Sequence, residues 1–284
     1  MKYAVHYRKD FRHFDTVDEV IFDVTKGNES IYLELPNIIK PDWDWQKITL
    51  NLAVLENPIE SVIPHILKLK AIHSNILVQL RYPFIDAEVQ LMKENNIPFM
   101  AAYTYCKSFD MVYTMKEYGV AEILVAEGLA FNLSVVRRVL EGTDIKVRII
   151  PNVAQCAVGT KHKVPTIHKF WVRPEDTEFY EPDVDTFEIY NEDDRISVVY
   201  EIYKSRVWKG NLKELILDAE DLDVENTALV PYFGSRRIDC KQICMYKGCE
   251  VCDACVGFAN RFKDTDQEIV YPKRKEKNEH TEND

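Results

Sequence analysis

No stretch of this sequence approaches the roughly 20 consecutive apolar residues needed to cross a bilayer. The opening MKYAVHYRKDFRHFD also has no apolar core of the length a secretory signal carries. A cytoplasmic protein without a membrane span is expected. Positive charge is scarce: 36 Lys and Arg stand against 47 Asp and Glu, a formal net charge of -11. This excludes a protein that coats DNA through its overall field, because phosphate binding needs locally dominant cations. Motifs for several chemistries are missing as well. There is no G-x-S-x-G, no H-E-x-x-H and no G-x-x-x-x-G-K, so hydrolase and nucleoside-triphosphate readings have nothing to rest on. Internal repeats and low-complexity stretches are absent.

What is present is enough apolar material, 46% of 284 residues, to bury one large core. Between residues 19 and 190 short runs rich in β-branched and aromatic residues recur: Val20 to Val24, Ile31 to Leu35, Ile48 to Ala53, Ile76 to Leu80, Phe99 to Tyr103, Ile123 to Ala126, Val147 to Ile150, Phe170 to Val172 and Phe187 to Tyr190. Most lack in-out alternation, the mark of parallel strands covered on the outside. Segments of helical period separate them. Pro58 to Ile72 places Ile59, Val62, Ile63, Ile66 and Leu69 on one face, with a kink expected at Pro64. Asp86 to Asn95, Ser108 to Tyr118 and Asn132 to Leu140 follow, the last two closed by Gly119 and Gly142.

Repeated strand-helix units imply right-handed crossovers and a parallel sheet. With eight or nine strands and no G-x-G-x-x-G after any of them, the α/β fold expected is a (β/α) TIM-like barrel rather than an open doubly wound sheet. Its first third is the irregular part, because Pro36 to Gln46 is too short and too rich in Pro and Trp for a crossover helix. Helices over Arg195 to Tyr203 and Asn211 to Leu217 trail the barrel. Three regions are therefore expected: a barrel with trailing helices over 1–235, a cysteine-rich metal-binding segment over 236–262, and a disordered tail over 263–284 that has little apolar surface to bury.

The segment DCKQICMYKGCEVCDAC spaces Cys240, Cys244, Cys249, Cys252 and Cys255 as C-x3-C-x4-C-x2-C-x2-C. Two residues between thiolates let both sulfurs reach one metal, and five cysteines this close are hard to explain by packing. Structural disulfides do not fit a reducing compartment. Zinc knuckles come as separated C-x2-C pairs, whereas this set is compressed and odd in number. That tilts the reading toward a 4Fe-4S cluster, with zinc as the alternative. Cys156, after the strand Val147 to Ile150, is a further cofactor-binding candidate, and Cys106 occupies a similar place after Phe99 to Tyr103.

The order of elements adds a resemblance. Asn152-Val-Ala-Gln-Cys156, then FWVRPED at 170–176, then VDTFEIY, then a helix running into YKSRVWKGNLKEL and finally C-x2-C-x2-C resembles the U-thirty-two peptidase-like family over roughly residues 120–260. That resemblance implies a barrel carrying a 4Fe-4S cluster. It also implies redox chemistry such as oxygen-independent hydroxylation of RNA or of a quinone precursor, despite the family's collagenase-like name. The chain is a diverged member by this measure: it has no cysteine between Cys156 and Cys240, and Glu188-Ile-Tyr-Asn-Glu stands where the family has a basic motif.

Polar residues at the strand ends supply the remaining candidates: Glu34, Asn51, Gln79, Arg81, Glu127, Asn152, Arg173 and Glu188. Arg81 and Arg173 are expected to bind an anionic group, Pro83 and Pro174 fixing the turns that present them. Glu127, followed by Gly128, is the expected acid or base. The histidines form no site-like spacing and are expected on the surface. Lys204, Arg206, Lys209 and Lys213 form a basic run, read as a solvated helix face rather than an RNA contact. Three functions follow: an iron-sulfur enzyme acting on a small molecule or an RNA base, a zinc-stabilised module that binds a protein partner, and a non-redox barrel lyase or isomerase. Oligomeric state is left open.

Overall fold

A computed structural model describes residues 2–7, 16–24, 47–52, 59–102, 105–106, 108–125, 129, 133–154, 171–190, 195–219 and 225. The chain divides into two units, Met1–Ala228 and Leu229–Asp284, and the described residues belong to the first.

Nine strands form one sheet, every pairing of which is parallel. They are β1 (Lys2–His6), β2 (Glu19–Asp23), β3 (Lys47–Asn51), β4 (Ile76–Leu80), β5 (Phe99–Ala101), β6 (Tyr105–Cys106), β7 (Glu122–Val125), β8 (Lys146–Ile149) and β9 (Thr186–Ile189). The order is β5-β4-β3-β2-β1-β9-β8-β7-β6, so the first and last strands meet in the middle. Strands β5 and β6 are two pieces of one stave. The amide of Ala121, next to β7, donates to the carbonyl of Phe99 in β5 at 2.8 Å. The sheet thereby curls into a nearly closed barrel of eight staves, the α/β barrel expected.

Helices α1 (Ile63–Ile72), α2 (Asp86–Glu94), α3 (Phe109–Tyr118) and α4 (Leu133–Val139) lie between successive staves, and α5 (Ile196–Ser205) follows β9. Pro64 does not kink α1. It lies in the first turn, where its missing N–H has no intrahelical partner to lose. Ser108 caps α3 by accepting from the amide of Met111, and Gly119 closes it at φ 71°, a left-handed conformation that glycine adopts without a Cβ clash. Helix α5 covers the seam between the first and last staves. The Tyr3 hydroxyl donates to the carbonyl of Tyr203 at 3.0 Å, and the Tyr203 hydroxyl donates to the carbonyl of Val172 at 2.7 Å.

Two expectations are corrected. The strand expected over Phe170 to Val172 is not one where it is described: Trp171 and Val172 run irregularly into a 3-10 helix, Pro174–Phe179, tethered by a bond from the amide of Val172 to the carbonyl of Pro151. Asn211 to Leu217 makes one 3-10 turn, Leu212–Glu214, rather than a helix. The run Ile31 to Leu35, the cysteine segment and the tail lie outside the described residues. No helix among the described residues is long and apolar enough to cross a membrane.

A buried ion chain and a candidate active site at the barrel mouth

The two faces of each stave differ. Val20, Phe22, Ile48, Leu50, Val147 and Ile149 are buried on one face, while Glu19, Asp23, Lys47, Thr49, Asn51, Glu122, Arg148 and Glu188 alternate with apolar neighbours on the other. The charges therefore point into the barrel. Part of the interior is apolar, a cluster of Leu77, Met100, Leu124 and Ile150 contributed by β4, β5, β7 and the end of β8. The rest is an ion chain.

Arg148 lies at its centre, fully buried. Its guanidinium donates to Glu19 at 2.6 Å, to Glu188 at 2.9 Å and to both oxygens of Glu122 at 3.2 and 3.1 Å. Lys47 bridges Glu19 and Glu122 from the N-terminal end. Burial alone would raise the Glu122 carboxyl, but the charges of Arg148 and Lys47 prevail and hold it well below its ordinary range. A cavity of about 830 Å³ opens at this N-terminal end, with Lys47 and Glu122 in its wall. In barrels of this type the N-terminal end carries stability, and catalysis occupies the C-terminal mouth.

Toward that mouth the chain continues through Glu188 to His6. His6 Nε2 is 3.1 Å from Glu188 Oε1, and His6 Nδ1 is 2.9 Å from Asp23 Oδ2. Asn51 Nδ2 donates to the other oxygen of Asp23 at 2.7 Å. The Tyr190 ring meets the imidazole edge-on at 5.4 Å. Burial pulls the His6 pKa down, yet the hydrogen bonds to Asp23 and Glu188 more than offset it and raise it to about 9. His6 is thus an imidazolium at neutral pH, held between two carboxylates. Four carboxylates (Glu19, Asp23, Glu122, Glu188) face three cations (Lys47, Arg148, His6), which leaves the chain at -1.

Both imidazole nitrogens are engaged and His6 is 1% exposed, so it does not reach out itself. Asp23, with 22% of its side chain exposed, is the group the chain presents to the mouth. One of its oxygens accepts from Asn51 and the other contacts His6 Nδ1. Asn152 is committed elsewhere: its carboxamide exchanges two hydrogen bonds with the backbone of Tyr190. The mouth therefore offers an oriented carboxylate backed by a proton-bearing imidazole, which suits binding and proton exchange with a hydroxyl or amine.

The residues expected from sequence fall in different places. Asn51, Gln79 and Glu188 line the upper barrel interior. Arg81 is exposed beyond β4. Arg173 is buried and grips Asp176 with two nitrogens, 2.7 Å each, at the start of the 3-10 helix. Arg81 and Arg173 are not brought together with the ion chain. Glu34, Glu127, Cys156 and Cys240, Cys244, Cys249, Cys252 and Cys255 lie outside the described residues. Cys106 is a buried free thiol, pushed up to about 12 by desolvation, which opposes the thiolate a metal needs. Among the described residues no group of three or more His, Cys, Asp and Glu is arranged to hold a metal.

The expectation that the histidines lie on the surface is wrong for His6. It was missed because β1 was missed: KYAVH is short and sits in a polar N-terminus. The apolar runs begin at Val20, Ile48 and Ile123, one residue after the inward Glu19, Lys47 and Glu122, so the alternation of inward charge lies outside them.

The class these features define is an α/β barrel with a charged interior. No protein-family model matches the chain, and no curated protein matches it.

Proposed function

We propose that this chain is a barrel enzyme whose reaction takes place at the C-terminal mouth, with Asp23 binding a hydroxyl or amine of the substrate and His6 acting as the proton reservoir behind it. The observation that carries this reading is the Asn51–Asp23–His6–Glu188 arrangement, built from the ends of four adjacent staves. A buried imidazolium between two carboxylates costs desolvation, and such perturbed groups concentrate at functional sites.

The reaction class comes from the resemblance to the U-thirty-two peptidase-like family: redox chemistry or oxygen-independent hydroxylation of a small molecule or an RNA base. The donor set fits the group this needs. Four thiolates from among Cys240, Cys244, Cys249, Cys252 and Cys255 would hold a 4Fe-4S cluster, the fifth being spare. When bound, such a cluster supplies one-electron transfer. Binding and proton transfer at the mouth belong to the chain's own residues. Proteolysis is not part of this reading.

A non-redox lyase or isomerase on the same barrel, with the cysteines holding zinc, is favoured by one feature: acid-base exchange between Asp23 and His6 needs no electron donor. Mass spectrometry of RNA nucleosides and small molecules from cells expressing the wild type or Asp23→Asn tests the proposal. A product gained by a net oxygen atom with the wild type alone is expected. A product isomeric with its precursor would favour the isomerase reading, one lighter by an eliminated fragment the lyase reading, and identical profiles would contradict all of them.

A further inference from the structure

Gln79 is 3% exposed and points into the barrel. It shares a face of β4 with Leu77, a member of the apolar interior cluster, and lies one step nearer the C-terminal mouth. In register it sits between Asn51 on β3 and Met100 on β5. Among the described residues its carboxamide makes one hydrogen bond, a weak one from Nε2 to the Met100 sulfur at 3.8 Å. A primary carboxamide has two N–H donors and an acceptor oxygen, so this one keeps hydrogen-bonding capacity beyond the weak sulfur contact, although none of its atoms is both fully buried and without a partner. Packing alone would place Leu or Met here, beside Leu77 and Met100. The carboxamide faces the same mouth as Asp23, two staves away, with Asn51 between them.

We infer that Gln79 is a specificity-determining residue of the mouth site: it pairs with a carboxamide-like donor-acceptor edge on the substrate while Asp23 takes a hydroxyl or amine of the same molecule. This inference rests on the site proposed above. Its chemistry is definite. An amide edge presents N–H to the Gln79 oxygen and C=O to its nitrogen, which a carboxylate cannot do. Simple carboxylate anions are further disfavoured because the ion chain, Asp23 included, carries a net charge of -1. A substrate of this class joins a hydroxyl or amine to an amide, lactam or ureide group across the mouth.

The test uses the whole chain purified without oxygen and glycolamide as the probe, which joins one hydroxyl to one primary amide. The Gln79 side-chain N–H₂ resonances are assigned by their loss in Gln79→Met and followed as glycolamide is added. Saturable shifts are expected, with binding roughly tenfold weaker in Gln79→Met, the loss of one or two neutral hydrogen bonds. Glycolate, which replaces the amide by a carboxylate, should bind more weakly than glycolamide. Gln79→Met should melt no lower than the wild type, since it removes only a weak sulfur hydrogen bond and places an apolar side chain beside Leu77 and Met100. A clearly lower melting temperature would mean the carboxamide is satisfied in the free protein and overturns the inference. So would unchanged glycolamide binding in Gln79→Met, equal or tighter binding of glycolate, or no saturable shift at all. Asp23→Asn separates the two proposals. If it leaves glycolamide binding intact while Gln79→Met loses it, Gln79 stands and the role of Asp23 falls; the reverse pattern retains Asp23 and removes Gln79.

Discussion

Stability should fall between pH 6.5 and pH 9 through His6 alone, because its pKa is 6.5 in the unfolded chain and about 9 in the folded one. A group whose pKa rises on folding stabilises the native state fully below the unfolded value and ceases to do so above the folded value. The folded protein binds this proton more tightly than the unfolded chain by about 2.5 units, on the order of 3 kcal/mol at 1.36 kcal/mol per unit. Other groups titrate in this window, so the observable is a difference. Unfolding free energies of the wild type and His6→Gln are measured by denaturant titration at several pH values from 6 to about 10. The wild type should hold an advantage at low pH that shrinks by roughly that amount by the alkaline end. Glu188, whose pKa is lowered by His6 and Arg148 against the pull of burial, contributes the opposite slope below its ordinary range, well clear of this window. A flat difference across pH 6.5–9 would refute the reasoning, since a neutral His6 cannot be the cation between Asp23 and Glu188.

Arg148→Met should be severely destabilising, by about 3–5 kcal/mol, because it leaves Glu19, Glu122 and Glu188 facing one another without their shared cation; urea titration reads it, and a loss under 1 kcal/mol would argue against the buried chain. Gly119→Ala should cost about 1 kcal/mol from backbone conformation alone, because φ is 71° and a Cβ there would meet nothing within 4 Å; a melting curve checks it. Cys106 should resist iodoacetamide at pH 8 in the folded protein and react on unfolding, as expected of a buried thiol whose pKa is about 12. Peptide mapping by mass spectrometry reads the difference, and Cys106→Ala should leave the metal content unchanged.

The barrel was legible because helices and outward strand faces obey strong local rules. Ser108 and Gly119 bracket α3 where capping chemistry predicts, and the apolar positions of β2, β3, β4, β7, β8 and β9 recur at strand length. The site was legible only in part. Asn51, Gln79 and Glu188 were visible as polar residues at strand ends, but their partners were not. A charged residue at the start of a strand usually marks solvent, and nothing local distinguishes Glu19 or Lys47 from that case. Only the closed parallel order brings Glu19, Glu122 and Glu188 around Arg148, across sequence separations of 129, 26 and 40 residues. Arg173 illustrates the converse. Its position before Pro174 suggests a presented anion binder, yet the turn that Pro174 starts places Asp176 where it takes two of the three guanidinium nitrogens, Nε and Nη2.

Metal and sulfide analysis of the whole chain purified without oxygen, with its visible absorption, tests the central proposal that a redox centre accompanies the mouth site. The account predicts a coloured protein with about four irons and matching sulfide per chain, lost on replacing Cys249 and Cys252 with alanine. A colourless protein with one zinc would contradict it and remove hydroxylation from the reading.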